Sequence, residues 1–300
     1  MSTKKVFQDF LKTLVVKEGK KVSLKKYNTD FETKIVNKEQ GEKILSDGLI
    51  HLTKMQDMLY AENKHSVLIV LQAMDAAGKD GAIKHVMSGL NPQGVKVASF
   101  KTPSSTELDH DYFWRHYKEL PGKGEIGIFN RSHYENVLVT RVHPEYILNE
   151  NIPSIKSIKD IDHKFWEKRY KQINRFEKNL SENGTLILKF FLHVSKDEQK
   201  ARFIERIDNP AKNWKFSPSD AKERLHWDEY QKAYEEMLSA TSTNYAPWHI
   251  LPADDKWFTR LCLGAVVMFE FEKLKLKYPK VSEAQLAELQ KAKEALLAEK

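Results

Sequence analysis

Gly78-Lys79 closes a short apolar run, with one carboxylate three residues before the glycine, Asp75, and another directly after the lysine, Asp80. Residues of these types at this spacing hold phosphate. Ala73 to Asp80 has the length of the loop G-x-x-x-x-G-K-[ST], in which successive backbone N–H groups and the start of a helix surround phosphate oxygens and the lysine adds a mobile charge. Two positions depart from the pattern: Ala73 replaces the first glycine, and Asp80 replaces the hydroxyl that would ligate Mg²⁺. Two carboxylates on a loop built for anions are costly unless a divalent cation lies between them and the phosphates, so the charges alone imply a metal.

Around this loop the chain supplies the elements such chemistry requires. Val67 to Leu71 is short and β-branched, which predicts a strand buried on both faces of a parallel sheet, and Ile83 to Leu90 has helical spacing. Before the strand, residues 41–63 read as an amphipathic helix, and residues 1–39 as an irregular, basic arm wrapping the domain. After it, strands are expected at 94–100, 125–129, 185–194 and 248–251. Helices are expected at 106–117, 162–180, 195–207, 218–239 and 254–278, with a loop at 144–157.

Asn130-Arg131-Ser132-His133-Tyr134-Glu135 follows the third strand, at the edge where open α/β sheets bind ligands. Ser132 with Glu135 also has capping-box spacing for the helix that follows, a role compatible with a site there. Arg202 and Arg206 stand four apart on a helix, and the polar, proline-broken segment to Lys215 fits a lid that swings over a phosphate and excludes water.

Composition narrows the class. A 300-residue chain with 41% hydrophobic residues can bury a large core, and one α/β domain with appended helices is expected. The single cysteine, Cys262, excludes intrachain disulfides and a cysteine zinc cluster, and points to a reducing compartment. No targeting segment or run of about 18 apolar residues occurs, so a soluble, cytoplasmic protein without a membrane partner is expected. The 49 Lys and Arg exceed the 42 Asp and Glu, for a net charge of +7, which favours polyanions; the charges are interspersed and no nucleic-acid module is present, so nucleic acid is not the expected partner.

With the phosphate loop, the N-R-S-H-Y-E strand end and the R-x-D-N-P-x-K-x-W-K segment in order, the chain closely resembles the polyphosphate kinase 2 family over roughly Phe31 to Leu276. The resemblance implies a P-loop kinase-like α/β three-layer sandwich related to thymidylate kinase. It would have about five parallel strands flanked by helices, within a domain at 40–280 that includes a helical lid near 206–217; beyond the resemblance, residues 281–300, rich in Ala, Glu, Leu and Lys, read as a C-terminal helical tail, either a solvated helix or an assembly element. It implies Mg²⁺-dependent transfer of phosphoryl groups between inorganic polyphosphate and AMP, ADP or ATP, reversibly, with Mn²⁺ as an alternative ion, in a dimer or tetramer. Position by position, Ala76, Ala77, Gly78 and Lys79 match the family's phosphate loop, Asp75 its metal-binding acid, Arg131 its phosphate-contacting arginine, and Arg206 with Lys215 its lid cations. Much of the family has Asp at Asn130 and Gly at Asp80; Asn130 with Glu135 looks like the members that phosphorylate both AMP and ADP, in which the glutamate helps hold the metal.

A loose phosphoryl-transfer transition state asks for alignment and charge stabilisation, which a metal on Asp75, with Lys79, Arg131 and Arg206, would supply; a phosphate acceptor, already ionised, needs no general base. Lys84, Arg202, Lys212 and Arg224 are further candidates for a basic polyphosphate track. The nearest alternative is an ATP-dependent nucleoside monophosphate kinase on the same fold.

Overall fold

The computed structural model describes residues 3–31 and 36–299. Five strands form one sheet in the order β2-β3-β1-β4-β5, every neighbouring pair parallel: β1 (Ser66–Ala73), β2 (Val95–Ser99), β3 (Ile126–Asn130), β4 (Thr185–His193) and β5 (Trp248–Pro252). β1 is central and buried along its whole length, which is why its run is apolar rather than alternating. The chain leaves β1 toward β2 and β3 on one side and then crosses to β4 and β5 on the other. The carboxyl end of β1 therefore lies at the switch point, where a crevice opens.

The helices are α1 (Thr3–Thr13), α2 (Lys38–Glu62), α3 (Lys79–Val86), α4 (Ser105–Leu108), α5 (Trp114–Tyr117), α6 (Glu135–Val142), α7 (Glu145–Leu148), α8 (His163–Glu182), α9 (Lys196–Asp208), α10 (Pro218–Glu223), α11 (Trp227–Thr241), α12 (Lys256–Lys273) and α13 (Glu283–Ala298). One layer is built from α2, α3 and α12, the other from α6, α8 and α11, with the sheet between them. Helices α2 and α12 come close because Gly264 has no Cβ where Leu45 Cδ1 lies. No helix among the described residues is long and apolar enough to cross a membrane.

Several elements differ from expectation. The arm wraps the domain, but much of its start is helical; after α1, Val16 N–H donates to Trp248 O at 2.8 Å and Ile250 N–H to Leu14 O at 2.9 Å, covering the free edge of β5. Residues 1, 2 and 32–35 of that arm lie outside the described residues. The helix expected at 106–117 is two short turns: Ser104 caps α4 with Glu107, and Asp111 Oδ1 accepts Phe113 N–H at 2.9 Å, an aspartate competing with the helical ladder. The loop expected at 144–157 contains α7.

Candidate active site

The loop from β1 into α3 turns sharply through two left-handed residues, Gly78 at φ +105° and Ala76 at φ +62°. Glycine adopts this conformation freely, whereas an alanine held there costs on the order of 1–3 kcal/mol and persists only where its surroundings dictate it. Arg131, beside it at the end of β3, is also left-handed at φ +62°. Such strain clusters at functional sites. Lys79 opens α3 and is only 9% exposed; its Nζ donates to the carbonyls of Ala73 at 2.9 Å and Met74 at 3.4 Å. Burial pushes its pKa down, against the nearby negative charge of Asp75 and with the positive charge of Arg131.

The end of β3 meets this loop directly. Arg131 Nη2 lies 2.8 Å from Asp75 Oδ1, and Asn130 Nδ2 donates to Asp80 Oδ1 at 2.7 Å. Ser132 does not form the expected capping box: α6 begins at Glu135 with Tyr134 as its N-cap, and Ser132 Oγ instead accepts from Gln72 Nε2 at 3.0 Å and Tyr134 N–H at 3.2 Å. The left-handed turn at Arg131 redirects the chain so that this hydroxyl joins β1 to the N-cap instead of capping the first turn of α6. Glu135, half-buried and free of capping, stands with Lys79, Arg131 and Asp75; burial pushes its carboxyl pKa up, Arg131 and Lys79 hold it down, and Asp75 adds to the rise.

The structure thus brings Asp75, Lys79, Asp80, Asn130, Arg131 and Glu135 together around Ala76–Gly78. Of the residues expected in a lid, Arg206 Nη1 makes a 3.5 Å contact with Lys215 O, and Lys215 Nζ lies 4.9 Å from the ring centre of Trp214. Lys212 pairs with Glu205, and Lys84 is exposed on α3. Arg202 departs from expectation: it is 5% exposed, and its guanidinium donates to the carbonyls of Ala76, Ala77, Ala253 and Asp254 and to Glu198. Buried behind the loop with its donors committed to backbone oxygen, it is not placed as a track cation. Arg224 donates to Gln199 Oε1 at 2.7 Å.

Residue pattern missed four participants. Gln72 reaches Ser132 from the end of β1, and its Oε1 is buried without a partner among the described residues. Gln199 donates to the carbonyl of Asp75. Asp220, in the first turn of α10, has its pKa raised by burial and then by the charge of Asp75, so the start of α10 lies within electrostatic reach of the loop. Tyr234, buried on α11, is within reach of the charges on Glu135 and Asp75. The available signals were weak: a glutamine ending an apolar strand, and an acid two residues after Pro218.

Beside Arg131 and Glu135 opens a cavity of about 310 Å³, walled by Phe100, Arg115, Tyr146 and Asn149 among others. Among the described residues no group of three or more His, Cys, Asp or Glu forms a ready-made metal cage. A divalent cation can also be held by one or two carboxylates and completed by substrate phosphates and water, which needs no such cage. Asp75, whose negative charge raises both Glu135 and Asp220, sits where a cation would relieve that field.

A strand, an anion-binding turn and a helix at the switch point of a parallel sheet, with Lys79 and Arg131 at its mouth, define a P-loop phosphotransferase. Residues 35–279 match the family model described as Polyphosphate kinase 2, and the chain belongs to that family. It is 49% identical over 282 residues, 94% of this chain and 96% of the relative, to an ADP-polyphosphate phosphotransferase of Rhodopseudomonas palustris. It is also 49% identical over 228 residues, 76% of this chain and 80% of the relative, to an AMP/ADP-polyphosphate phosphotransferase of Meiothermus ruber. Among solved structures it is similar to a polyphosphate kinase 2 from Arthrobacter aurescens TC1, with TM-score 0.84, 37% identity, and coverage of 98% of this chain and 97% of that one.

Proposed function

We propose that this chain transfers a phosphoryl group from inorganic polyphosphate to AMP and to ADP, reversibly and with Mg²⁺, or Mn²⁺ in its place. The observation that carries it is the convergence of Lys79, Arg131 and Asp75 on a strained anion loop, with a nucleotide-sized cavity opening beside Arg131. The relatives named as ADP-polyphosphate and AMP/ADP-polyphosphate phosphotransferases favour this over an ATP-dependent nucleoside monophosphate kinase.

The donor phosphate lies on the loop, held by N–H groups and by Lys79, which exchanges the carbonyls of Ala73 and Met74 for phosphate oxygen. Arg131 turns between Asp75 and the transferred group. The acceptor nucleotide occupies the cavity beside Arg131 and Glu135, its phosphate facing the loop. A bound divalent cation supplies charge neutralisation on the phosphate oxygens, and Asp75 with Asn130 and Glu135 would hold it. Residues 206–217 form the lid, Arg206 and Lys215 closing on the transferred group and excluding water. Lys84 and Lys212 line the approach of the polyphosphate chain. Assembly into a dimer or tetramer belongs to the same reading.

The test is incubation of the protein with Mg²⁺, polyphosphate and either AMP or ADP, with no other donor, followed by chromatography of the nucleotides. ADP and ATP from AMP, and ATP from ADP, are expected. Conversion of ADP alone removes the dual-acceptor reading, and transfer only when ATP is the donor removes polyphosphate.

A further inference from the structure

The back of the phosphate loop is held by a single helix. From α9, Gln199 Nε2 donates to the carbonyl of Asp75 at 3.0 Å, and Arg202 Nη1 donates to those of Ala76 at 3.0 Å and Ala77 at 2.9 Å. Three successive loop carbonyls are therefore drawn to one side. The other donors of Arg202 meet Ala253 O at 2.7 Å, Asp254 O at 2.8 Å and Glu198 Oε1 at 2.7 Å, so all five of its N–H groups have protein acceptors.

This pinning has a geometric consequence. In a trans peptide the carbonyl and the next N–H point in opposite directions, and there is no cis peptide among the described residues. With the carbonyls of Asp75 and Ala77 turned toward α9, the N–H groups of Ala76 and Gly78 turn away from it, toward the mouth of the loop. The N–H of Ala77 is held by Met74 O at 3.3 Å. The left-handed backbone of Ala76 at φ +62° is a conformation that needs such enforcement. The same helix runs into the lid segment, and Arg224, beyond that segment, donates to Gln199 Oε1 at 2.7 Å. Gln199 thus joins the carbonyl of Asp75 to elements on both sides of residues 206–217.

We propose that Gln199 and Arg202 are positioning residues that hold the phosphate loop in its anion-binding shape and couple it to the lid segment, Arg202 making no contact with polyphosphate. The inference rests on Ala73–Asp80 being the phosphate site.

Three variants decide it: Gln199→Met, which keeps the shape and changes no charge; Arg202→Lys, which keeps the charge but cannot span the carbonyls; and Arg202→Met. Each is examined by thermal melting, by steady-state kinetics with polyphosphate, and by calorimetric binding of tripolyphosphate at several salt concentrations. Gln199→Met is expected to lower turnover by about 10-fold or more, since small misplacements of a binding loop are that costly, and to weaken tripolyphosphate binding. Its salt dependence should match that of the wild type, because no phosphate contact is lost. Arg202→Lys should fall about as far as Arg202→Met. Wild-type kinetics in Gln199→Met overturn the proposal even if the arginine variants do not fold. So does a near-normal Arg202→Lys beside an Arg202→Met with a raised KM for polyphosphate and a shallower salt dependence, the behaviour of a track cation. Failure of the wild-type protein to bind tripolyphosphate overturns the phosphate-site assignment itself, an outcome distinct from any difference among the variants.

Discussion

Lys79 and Glu135 carry opposite charges that burial disfavours. Lys79 has two carbonyls as partners, weak compensation for a buried ammonium, and burial lowers its pKa accordingly. Phosphate would provide the stronger partner. Lys79→Ala is expected to lower turnover by about 10²–10³-fold, the scale of one lost transition-state donor, while thermal melting shows a folded protein. Glu135 presents the opposite sign. Its pKa is raised by burial, so the folded state binds this proton more tightly than the unfolded chain, and stability is lost as pH rises through the ordinary carboxyl value, about 4.3, toward the raised one. Glu135→Gln should therefore melt no lower than wild type at neutral pH. If Glu135 holds the cation, the Mg²⁺ needed for half-maximal rate should rise at least about 10-fold in the variant. In the wild type that requirement should rise as pH falls through the raised value, and in the variant this dependence should disappear. Titrations of rate against Mg²⁺ at several pH values read both effects.

At the scale of elements, the start of α6 is fixed by a buried polar network. Lys189 Nζ, from β4, donates to Glu177 Oε2 at 2.6 Å, Tyr134 OH at 2.9 Å and Thr241 O at 2.7 Å. Tyr134 OH donates to Glu177 Oε1 at 2.6 Å, and His133 Nε2 lies 3.3 Å from the same oxygen. Glu177 and Lys189 have no solvent exposure. Residues 133 and 134, which directly precede Glu135, are thus locked to α8 and β4. Burial alone would push Glu177 up, but Lys189 and His133 more than offset it and its carboxyl ends below the ordinary range. A depressed carboxyl contributes stability that is present above about pH 4.3 and lost as pH falls through the folded value. Glu177→Gln leaves the ammonium buried without its counter-charge, so unfolding at pH 7 should show a loss of about 3–5 kcal/mol. Denaturant titrations at successively lower pH should show that gap narrowing below about pH 4. A constant gap would mean that packing, not charge, carries the effect.

Across the whole molecule, the two chain ends behave differently. The segment after α1 covers the β5 edge, and Leu24 N–H reaches Glu235 Oε1 at 2.7 Å, so the arm is part of the domain's hydrogen bonding. Helix α13 is exposed at every described position, including Leu286, Leu289, Leu296 and Leu297. Removal of residues 281–300 should shift Tm by no more than about 2 °C, since surface changes are worth about 0.5 kcal/mol. Light scattering on the same truncated protein reads assembly. A loss of mass per particle would assign α13 to contacts between copies, whereas a large drop in Tm would contradict its exposure.

Sequence by itself determined the order of the five strands, the central buried strand and the Gly-Lys turn that leads into α3, because each is local: a β-branched run, a Gly-Lys turn and helical spacing are set by backbone sterics and by hydrogen bonds to near neighbours. It also placed Arg131 and Glu135 at a strand end, the edge where such sheets bind. Tertiary structure alone decided which cations face the loop and which stand behind it. Arg202 and Arg206 are one turn apart and chemically alike, yet the first is enclosed by carbonyls from positions 76, 77, 253 and 254 while the second contacts the carbonyl of Lys215. Ser132 was decided in the same way, its hydroxyl drawn to Gln72 sixty residues earlier and to the N–H of the N-cap Tyr134 rather than into a capping box with Glu135. Periodicity reports which face of an element is apolar. It does not report which distant backbone oxygens arrive at that face, and a buried donor's role depends on the acceptors that fold around it.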